Sequence, residues 1–496
     1  MNLLHQLRSL FEPVLTDLAP DQAKVPDLLA ALKPTGNPEH GDYQANFAMA
    51  LAKALGKKPH DVAKDVIAKL LANGMIELPS VAGPGFINLR LKPEFLAKAV
   101  RQIATDPNLG VEPAARPKTF VIDYSSPNVA KPLHVGHLRS TIIGDALTRI
   151  LRFLGHTVIT DNHLGDWGTQ FGMLIYGYRN FLNKDAYKKN PVRELARLYV
   201  LVRNVSGTIE ILSRGFTHFR DQVAFEANPV AELTRVYVNG LKRAADPDED
   251  DEEGGAKGPP APNPVAQACR EETAKLHAGD EANKRLWDEF KPPCMDEIHA
   301  VYHRLGILPF DHEHGESFYQ PMLAGVVEEL QNAGVSEPGE GGSVIVRAGK
   351  NTVKVIRKGD GAFTYTTTDL ATIEYRMEHW KPDTVLYVVD FRQGGHFEPL
   401  FEIARRWGYD RVELKHISFG SVLGKDGKPI KTREGGATEL SHLLDRAVEL
   451  GGHLFELTYW TRRAMGHDVP DWESITDEEK RQIAEAVGIG AVKYAD

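Results

Sequence analysis

Two β-strand patterns flank an amphipathic helix between residues 119 and 160 of this chain. The first strand is TFVIDYS (119–125) and the second is HTVIT (156–160). Between them, apolar residues recur about every 3.6 positions, and Gly155 follows as a helix C-cap. A helix that joins two such strands favours a parallel pair. The segment therefore predicts a doubly wound, Rossmann-like α/β fold.

The rest of the chain divides by composition and periodicity. We expect the Rossmann-like domain over 117–436, where later strand patterns are GGSVIVR, TVKVIRK and TVLYVVD. A helical insertion is predicted within it at about 176–295. Residues 1–110 indicate a small α+β domain. Residues 437–496 indicate the start of a helical C-terminal region that we interpret as truncated inside a helix.

A run of acidic residues, DPDEDDEE (246–253), dominates the charge of the chain. The formal net charge is −9 and the run carries seven acids, so the remainder is −9 + 7 = −2. A local basic surface for nucleic acid is therefore compatible with the net charge. Because 244–264 is acidic and then rich in Gly and Pro, we expect a disordered surface loop there.

The cysteine content and the hydropathy of the chain indicate the cellular compartment in which the protein is expected. The chain has 496 residues and two cysteines, Cys269 and Cys294, with no CxxC pattern. This argues against a disulfide framework and a structural zinc site, so we expect a reducing, cytoplasmic environment. No apolar run approaches about 18 residues, so no membrane-spanning helix is expected.

The loop after the first strand, SSPNVAKPLHVGH (125–137), carries the densest chemistry in the sequence. It lies at the carboxyl end of a predicted parallel strand, where ligands of such sheets bind. His134 and His137 permit three interpretations. They could bind a metal, although no third or fourth ligand is nearby in sequence. They could be structural, or they could contact an anion at the helix N-terminus.

The residues around the two histidines favour the anion. Lys131 adds positive charge, free backbone N–H groups at the helix start attract phosphate, and Gly136 leaves room for a base or ribose. This set suits attack on an α-phosphate, with pyrophosphate leaving and no covalent enzyme intermediate. Catalysis of that kind rests on positioning and electrostatic stabilisation.

His-x-Gly-His after a first strand resembles the signature of class I aminoacyl-tRNA synthetases. The resemblance predicts a second, lysine-rich loop with the pattern Lys-x-x-Lys-Ser/Thr after the last strand of the sheet. This chain has KPIKT at 428–432, flanked by glycines. An isolated Lys/Gly segment is more often a solvated loop, but two matching halves in the expected order favour a nucleotide site.

Longer segments resemble arginyl-tRNA synthetases, and the resemblance covers nearly the whole chain except about 180–265. The segments after the first strand are 125–156, NHLGDWGTQFGMLI (162–175), HGESFYQPML (314–323), GAFTYTTTDLA (361–371), YVVDFRQGGHF (387–397) and FGSVLGKDGKPIKTREGG (419–436). HGDYQANFAMALAK and AGPGFINLRL resemble the appended N-terminal domain of that family. Family members normally continue past the equivalent of residue 496 as a helical bundle that reads the anticodon.

The resemblance implies an enzyme that activates L-arginine with ATP and transfers it to the 3′ end of tRNA(Arg). The implied ligands are ATP with Mg²⁺, L-arginine and tRNA(Arg). No tightly bound metal and no membrane partner are expected, and the protein is expected to be a monomer. The alternative is a truncated, non-aminoacylating relative that binds tRNA or a partner protein.

The same resemblance assigns site residues. The signature region is Pro127, Asn128, Val129, Ala130, Lys131, Pro132, Leu133, His134, Val135, Gly136 and His137. Catalytic roles fall to Lys131, His134, His137, Lys428 and Lys431. ATP contacts fall to His134, Gly136, His137, Gln393, Lys428, Lys431 and Thr432. Arginine contacts fall to Asp123, Ser125, Asn128, Tyr365, Asp369 and Gln393. Contacts to tRNA in the N-terminal domain fall to Tyr43, Asn46, Phe86 and Asn88.

Tyr365 and Asp369 suit arginine chemically. They are four residues apart, so they share a face if this segment is helical. A carboxylate accepts two parallel bonds from a guanidinium group, and an aromatic ring stacks on its plane. The opposing interpretation is a capped helix start in which Asp369 accepts a backbone N–H.

The lysines leave a second alternative open. In many family members the second lysine of the late loop is altered, and a lysine just before the first histidine is thought to replace it. Here Lys131 is present together with Lys428 and Lys431. The sequence does not rank their contributions.

Overall fold

The computed structural model describes residues 3–70, 73–215, 264–349, 352–421 and 439–495. The chain divides into two compact units. Unit 1 is Met1–Arg116 with Phe153–Gly155, and unit 2 is Pro117–Arg152 with His156–Asp496. The disordered loop expected at 244–264 lies outside the described residues, except that Pro264 begins a helix.

Unit 1 is an α+β unit built on an antiparallel sheet. Its described elements are α1 (Leu3–Leu18), α2 (Val25–Ala30), β1 (Leu32–Pro34), β2 (Tyr43–Ala45), α3 (Phe47–Leu55), α4 (Pro59–Lys69), β3 (Ser80–Ala82), β4 (Phe86–Leu89) and α5 (Pro93–Thr105). The strand order is β1-β2-β4-β3. The apolar face of α1 buries Leu7, Phe11 and Leu15 in the same core as Ile87 of β4.

Unit 2 contains the predicted βαβ unit and a long series of helices. Its described elements are β5 (Thr119–Asp123), α6 (Val135–Phe153), β6 (Thr157–Asp161), α7 (Thr169–Phe181), α8 (Lys184–Lys189), α9 (Pro191–Gly215), α10 (Pro264–His277), α11 (Glu281–Arg304), α12 (Glu316–Tyr319), α13 (Leu323–Asn332), β7 (Ser336–Pro338), β8 (Val344–Ala348), β9 (Thr352–Arg357), α14 (Tyr365–Tyr375), β10 (Thr384–Asp390), α15 (Gly394–Trp407), β11 (Glu413–Phe419), α16 (Leu440–Ala464) and α17 (Asp477–Ala495). Between α7 and α11 the described residues form the helices α8, α9 and α10 with short connections, and the helical insertion at about 176–295 stays a prediction.

A four-stranded parallel sheet positions the site. Its order is β11-β10-β5-β6, and all three pairings are parallel. The predicted Rossmann-like α/β fold is thereby confirmed. The register places Tyr387 beside Asp123 and Asp123 beside Asp161, so these three residues share the carboxyl edge of the sheet.

Close packing fixes the first helix of the βαβ unit on its strand. A Cβ atom at Gly144 of α6 would lie 2.1 Å from Cγ of Tyr124, which directly follows β5. Only glycine therefore allows α6 to approach this closely. The helix ends where predicted, because Gly155 adopts a left-handed φ of 83°.

The strands of GGSVIVR and TVKVIRK do not join the parallel sheet. They form β8 and β9 of a separate antiparallel sheet of order β7-β8-β9. Strand β11 was not recognised in the sequence. It is an edge strand with alternating half-exposed residues, so it lacks the continuous apolar run that marked β5 and β10.

Within the described ranges, no helix has the length and hydropathy needed to cross a bilayer.

Candidate active site

The signature loop leaves β5 through two strained residues. Ser125 and Ser126 have φ angles of 71° and 46°, a region that costs non-glycine residues about 1–3 kcal/mol each. Hydrogen bonds hold this bend. The Ser126 N–H donates to Asn162 Oδ1 at 3.0 Å, and Ser126 Oγ donates to Asp123 Oδ1 at 2.9 Å. The bend directs the following residues across the carboxyl edge of the sheet.

The hydroxyl of Ser125 lies in a buried network. It is 2.6 Å from the Tyr302 hydroxyl and accepts a hydrogen bond from Thr141 Oγ1 at 2.8 Å. Its backbone N–H donates to Ser140 Oγ. A hydroxyl can form three hydrogen bonds, so the predicted contact of Ser125 with arginine has one position left beside these two partners.

Asn128 lies between the loops that follow the first and second strands. Gly165 donates to the Pro127 carbonyl at 3.0 Å, and Val129 donates to the Gly165 carbonyl at 3.1 Å. The Asn128 side chain is half-buried and accepts the Ala130 N–H. The structure therefore fixes Asn128 at the sheet edge where a ligand is expected.

His134 and His137 stack on each other at the start of α6, with ring centroids 4.0 Å apart. Nδ1 of His134 accepts the Gly136 N–H at 3.1 Å, and Nδ1 of His137 accepts the His134 N–H at 3.2 Å. A neutral ring with an accepting Nδ1 carries its proton on Nε2. No group in the described part of the chain bonds to either Nε2, so both can donate to a ligand oxygen.

Gly136 is required by this arrangement. A Cβ atom there would lie 2.8 Å from Cε1 of His134. The absent side chain thus makes room for the His134 ring.

The environment keeps both histidines uncharged. Burial lowers the pKa of His137 to about 3, and the nearby His134 and Lys131 contribute in the same direction. Burial and the charge of Lys131 also lower the pKa of His134. At neutral pH both rings are therefore uncharged and carry Nε2–H donors. Among the described residues, no three His, Cys, Asp or Glu side chains are grouped as metal ligands.

Lowering the pH from about 7.5 to about 5.5 is expected to destabilise the wild-type protein more than a His137→Gln variant. Unfolded His137 has a pKa near 6.5, against about 3 in the fold. Only the unfolded state takes up this proton, so its contribution to stability is present above about pH 6.5 and lost as pH falls. We expect an extra loss of roughly 1 kcal/mol in the free energy of unfolding, measured by urea denaturation. Equal losses in both proteins would contradict a neutral His137.

The late lysine loop lies outside the described residues, including Lys428, Lys431 and Thr432. Its two flanks are described, and both are tied to the signature region. Arg139 Nη1 donates to the Gly420 carbonyl at 2.7 Å, and the Leu440 N–H donates to the Leu133 carbonyl at 2.8 Å. The chain thus enters and leaves this loop beside the start of α6.

Tyr365 and Asp369 occupy the first turns of α14. Tyr365 is 66% exposed, and its ring centroid lies 5.3 Å from that of His396. Asp369 Oδ2 is 2.7 Å from His396 Nε2. Capping of α14 is carried out by the side chains of Thr364 and Thr367, so Asp369 is not needed as a cap.

Gln393 lies at the carboxyl end of the sheet, in the short helix Phe391–Gln393 that joins β10 to α15. It is exposed and directly precedes α15, the helix that carries His396. Asn128 and Gln393 therefore follow the neighbouring strands β5 and β10, and the contact with His396 joins Asp369 of α14 to α15.

Asp123 is already engaged by a residue of this chain that the sequence did not indicate. Arg376 is 0% exposed and donates from Nη2 to Asp123 Oδ2 at 2.7 Å and to Asp161 Oδ2 at 2.8 Å. Burial disfavours its charge, but Asp123 and Asp161 outweigh this and raise the pKa of Arg376 above its ordinary value. A predicted contact between Asp123 and substrate arginine would have to be shared with Arg376.

Arg376 and His396 are the residues near the site that sequence reasoning missed. One signal was available for Arg376: it follows Asp369 by seven positions and so shares a helix face with it. Asp161 also ends a parallel strand, as Asp123 does. For His396, the sequence contained only its position shortly after the strand β10.

The candidate tRNA contacts of unit 1 do not share one surface. Phe86 and Asn88 alternate with the buried Ile87 and Leu89 along β4, and therefore lie on the more exposed face of the sheet. Asn88 accepts a hydrogen bond from Gln44 on that face. In contrast, Tyr43 packs against the core of unit 1.

Asn46 also faces inward. Its Oδ1 is buried, and the described residues provide no partner for it. The four candidates are therefore split between two faces of the unit.

A parallel sheet with a paired-histidine helix start at its carboxyl edge defines the catalytic domain of a class I aminoacyl-tRNA synthetase. The family "tRNA synthetases class I (R), catalytic domain" matches residues 99–214 and 207–496, and "Arginyl tRNA synthetase N terminal domain" matches 5–91. The chain belongs to the arginyl-tRNA synthetase family.

Curated relatives match almost the whole chain. The arginine–tRNA ligase of Rhodopirellula baltica is 42% identical, and the match covers 100% of this chain and 77% of the relative. That of Chromobacterium violaceum is 37% identical over 96% of this chain and 73% of the relative.

Solved structures share the fold. Arginyl-tRNA synthetase from Plasmodium falciparum gives a TM-score of 0.64 at 22% identity, covering 100% of this chain and 74% of the other. The Thermus thermophilus enzyme gives 0.62 at 21% identity, covering 99% and 74%. At these identities the likeness concerns the fold alone.

Proposed function

We propose that this chain is an arginine–tRNA ligase. It activates L-arginine with ATP to arginyl-adenylate and transfers the arginyl group to the 3′ end of tRNA(Arg). One observation carries the proposal. Two uncharged histidines with available Nε2–H donors lie at the start of α6, which follows β5, and His396, the partner of Asp369, lies on α15, which follows the neighbouring strand β10.

Activation is a displacement at phosphorus. A carboxylate oxygen of arginine attacks the α-phosphate of ATP, the bond to the bridging oxygen of pyrophosphate breaks, and no enzyme group is modified. The protein therefore contributes placement and charge stabilisation. His134 and His137 donate from Nε2 to ATP oxygens, and Lys131 supplies a fixed positive charge. Gly136 keeps the space over this helix start open.

Mg²⁺ is assigned no protein ligand here. Within the described ranges no acidic, imidazole or thiol groups cluster to hold a metal, so the ion is expected to arrive on the phosphates of ATP.

Arginine recognition is assigned to Asp369 and Tyr365. The carboxylate pairs with the guanidinium group, the ring stacks on its plane, and His396 orients the carboxylate from behind. A site built for such polar contacts rejects a substrate that cannot form them by roughly 10⁴-fold, so lysine is discriminated in the activation step itself. Asn128 and Gln393 are proposed to hold the backbone end of the amino acid.

The two cysteines indicate the compartment of the protein. Cys269 and Cys294 are both free and buried, which suits a reducing cytoplasm. We propose that the protein acts there as a monomer. We propose that unit 1 contacts tRNA through the face of its sheet that carries Phe86 and Asn88.

Arginine-dependent exchange of pyrophosphate into ATP tests the proposed function. We expect exchange with arginine and tRNA(Arg), and none with lysine in its place. Parallel reactions without tRNA show whether activation depends on the RNA. Absence of exchange in every reaction would overturn the proposal and favour a binding protein without ligase activity.

A further inference from the structure

The ammonium group of Lys131 lies over an aromatic ring of the helical insertion. Its Nζ atom is 4.6 Å from the centroid of Tyr199, which belongs to α9. The backbone of Lys131 is fixed separately, because its N–H donates to the Asn128 carbonyl at 3.1 Å. One end of this lysine is therefore held by the signature loop and the other by a helix outside the parallel sheet.

Helix α9 provides a firm support for that ring. Leu195 and Leu198, on the same turns as Tyr199, are fully buried. At the start of the helix, Glu194 accepts the Asn183 N–H at 2.9 Å and pairs with Arg197 at 2.6 Å. The position of the Tyr199 ring is therefore determined by the packing of the insertion.

The chemical character of the contact is informative. In the part of the chain that the structure describes, no carboxylate pairs with Lys131. Lys291 offers a comparison, since it lies 4.8 Å from the Trp287 ring but also contacts Asp166 at 2.6 Å. The charge of Lys291 is thus compensated, whereas Lys131 has no counter-charge among the residues that the structure describes.

An aromatic ring attracts a cation through its quadrupole and carries no net charge. It restricts where the ammonium group can be without neutralising it. A carboxylate in the same place would hold Lys131 more strongly but would weaken its attraction for phosphate. Lys131 precedes His134 by three residues, and its charge contributes to the lowered pKa of both His134 and His137.

We propose that Tyr199 is a positioning residue for phosphate binding. Its ring restrains the ammonium group of Lys131, which lies three residues before His134 in the signature loop, and leaves the positive charge available to ATP. This inference rests on the proposed ligase function and gives the insertion helix α9 a part in activation. It also favours a contribution of Lys131 to phosphate binding in addition to that of the lysines in the late loop.

Three substitutions separate this role from simple packing. Tyr199→Phe keeps the ring, so kcat/KM for ATP in pyrophosphate exchange is expected to stay within about twofold of wild type. Tyr199→Leu keeps apolar volume but removes the ring, and kcat/KM for ATP is expected to fall about three- to tenfold. Tyr187→Leu is the matched control. It removes a ring of the same insertion that contacts Glu289 and no lysine, and should leave the ATP parameters unchanged.

A double-mutant cycle with Lys131→Met tests the connection directly. If Tyr199 acts through Lys131, Tyr199→Leu causes no further loss in the Lys131→Met background. A full additional loss there would overturn the proposal, as would a Tyr199→Leu variant equal to wild type. Thermal unfolding of each variant confirms that it is folded, and Tyr199→Met replaces Leu if that variant is not.

ATP affinity measured by calorimetry separates the two proposals. If wild type fails to exchange pyrophosphate, the ligase proposal fails. The role of Tyr199 is still decided by the ATP affinities of wild type, Tyr199→Phe and Tyr199→Leu. We expect the first two to be similar and Tyr199→Leu to bind ATP more weakly. An identical affinity for all three proteins would exclude it.

Discussion

Asp369→Asn lowers kcat/KM for arginine by roughly 10²- to 10³-fold while ATP affinity stays near that of wild type. Asparagine preserves the shape of the side chain but removes the charge that we propose pairs with the guanidinium group, and one of its two terminal groups donates where both carboxylate oxygens accept. Arginine-dependent pyrophosphate exchange gives the kinetic effect, and calorimetry with ATP alone gives the nucleotide affinity. Asp369→Ala should show the same separation with a still larger loss.

A neighbouring acidic residue provides the control for this variant. Glu398 is exposed on α15, two residues beyond the His396 that contacts Asp369. Glu398→Gln removes one negative charge from the same region and is expected to leave both substrates unaffected. An unchanged arginine affinity in Asp369→Asn would show that the guanidinium group binds elsewhere.

Arg376→Met reduces the free energy of unfolding by about 3–5 kcal/mol. The substitution preserves much of the side-chain volume but leaves Asp123 and Asp161 buried without their cation. Urea denaturation near neutral pH measures the loss.

Neutralising the two acids tests the cause of this loss. Asp123→Asn and Asp161→Asn added to Arg376→Met are expected to restore part of the lost stability, since no buried charge remains unpaired. Arg285→Met, at a highly exposed ion pair with Glu281, should change stability by less than about 1 kcal/mol. A single Arg376→Met variant as stable as wild type would mean that the two aspartates do not depend on Arg376.

The sequence predicted those parts of the fold that depend on local periodicity. The unit β5–α6–β6 was recognised because its apolar pattern and Gly155 act within short stretches of chain. Strand β11 was missed because an edge strand buries little on either side and shows no long apolar run. The placement of β8 and β9 in a second sheet depends on pairing partners, which periodicity does not encode.

The candidate site shows the same division. His134, Gly136 and His137 could be read from one loop, and Tyr365 and Asp369 from helical spacing. The pairs that complete the site join distant positions: Arg376 follows Asp161 by 215 residues and Asp123 by 253. Tyr199 reaches Lys131 from the insertion. Such contacts follow from topology and have no local signature.

The long separation between Arg376 and its two aspartates also bears on how the chain folds during synthesis. Both aspartates are synthesised before Arg376. At about 5–20 residues per second, the time between their synthesis and that of Arg376 is on the order of 10–50 s. Burying either carboxylate in that interval would be unfavourable, so the carboxyl edge of β5 and β6 should remain hydrated. The sheet can therefore close around Asp123 and Asp161 only after α14 and β10 have emerged. Synthesis of the second half of the chain is then needed before the nucleotide-binding fold is complete.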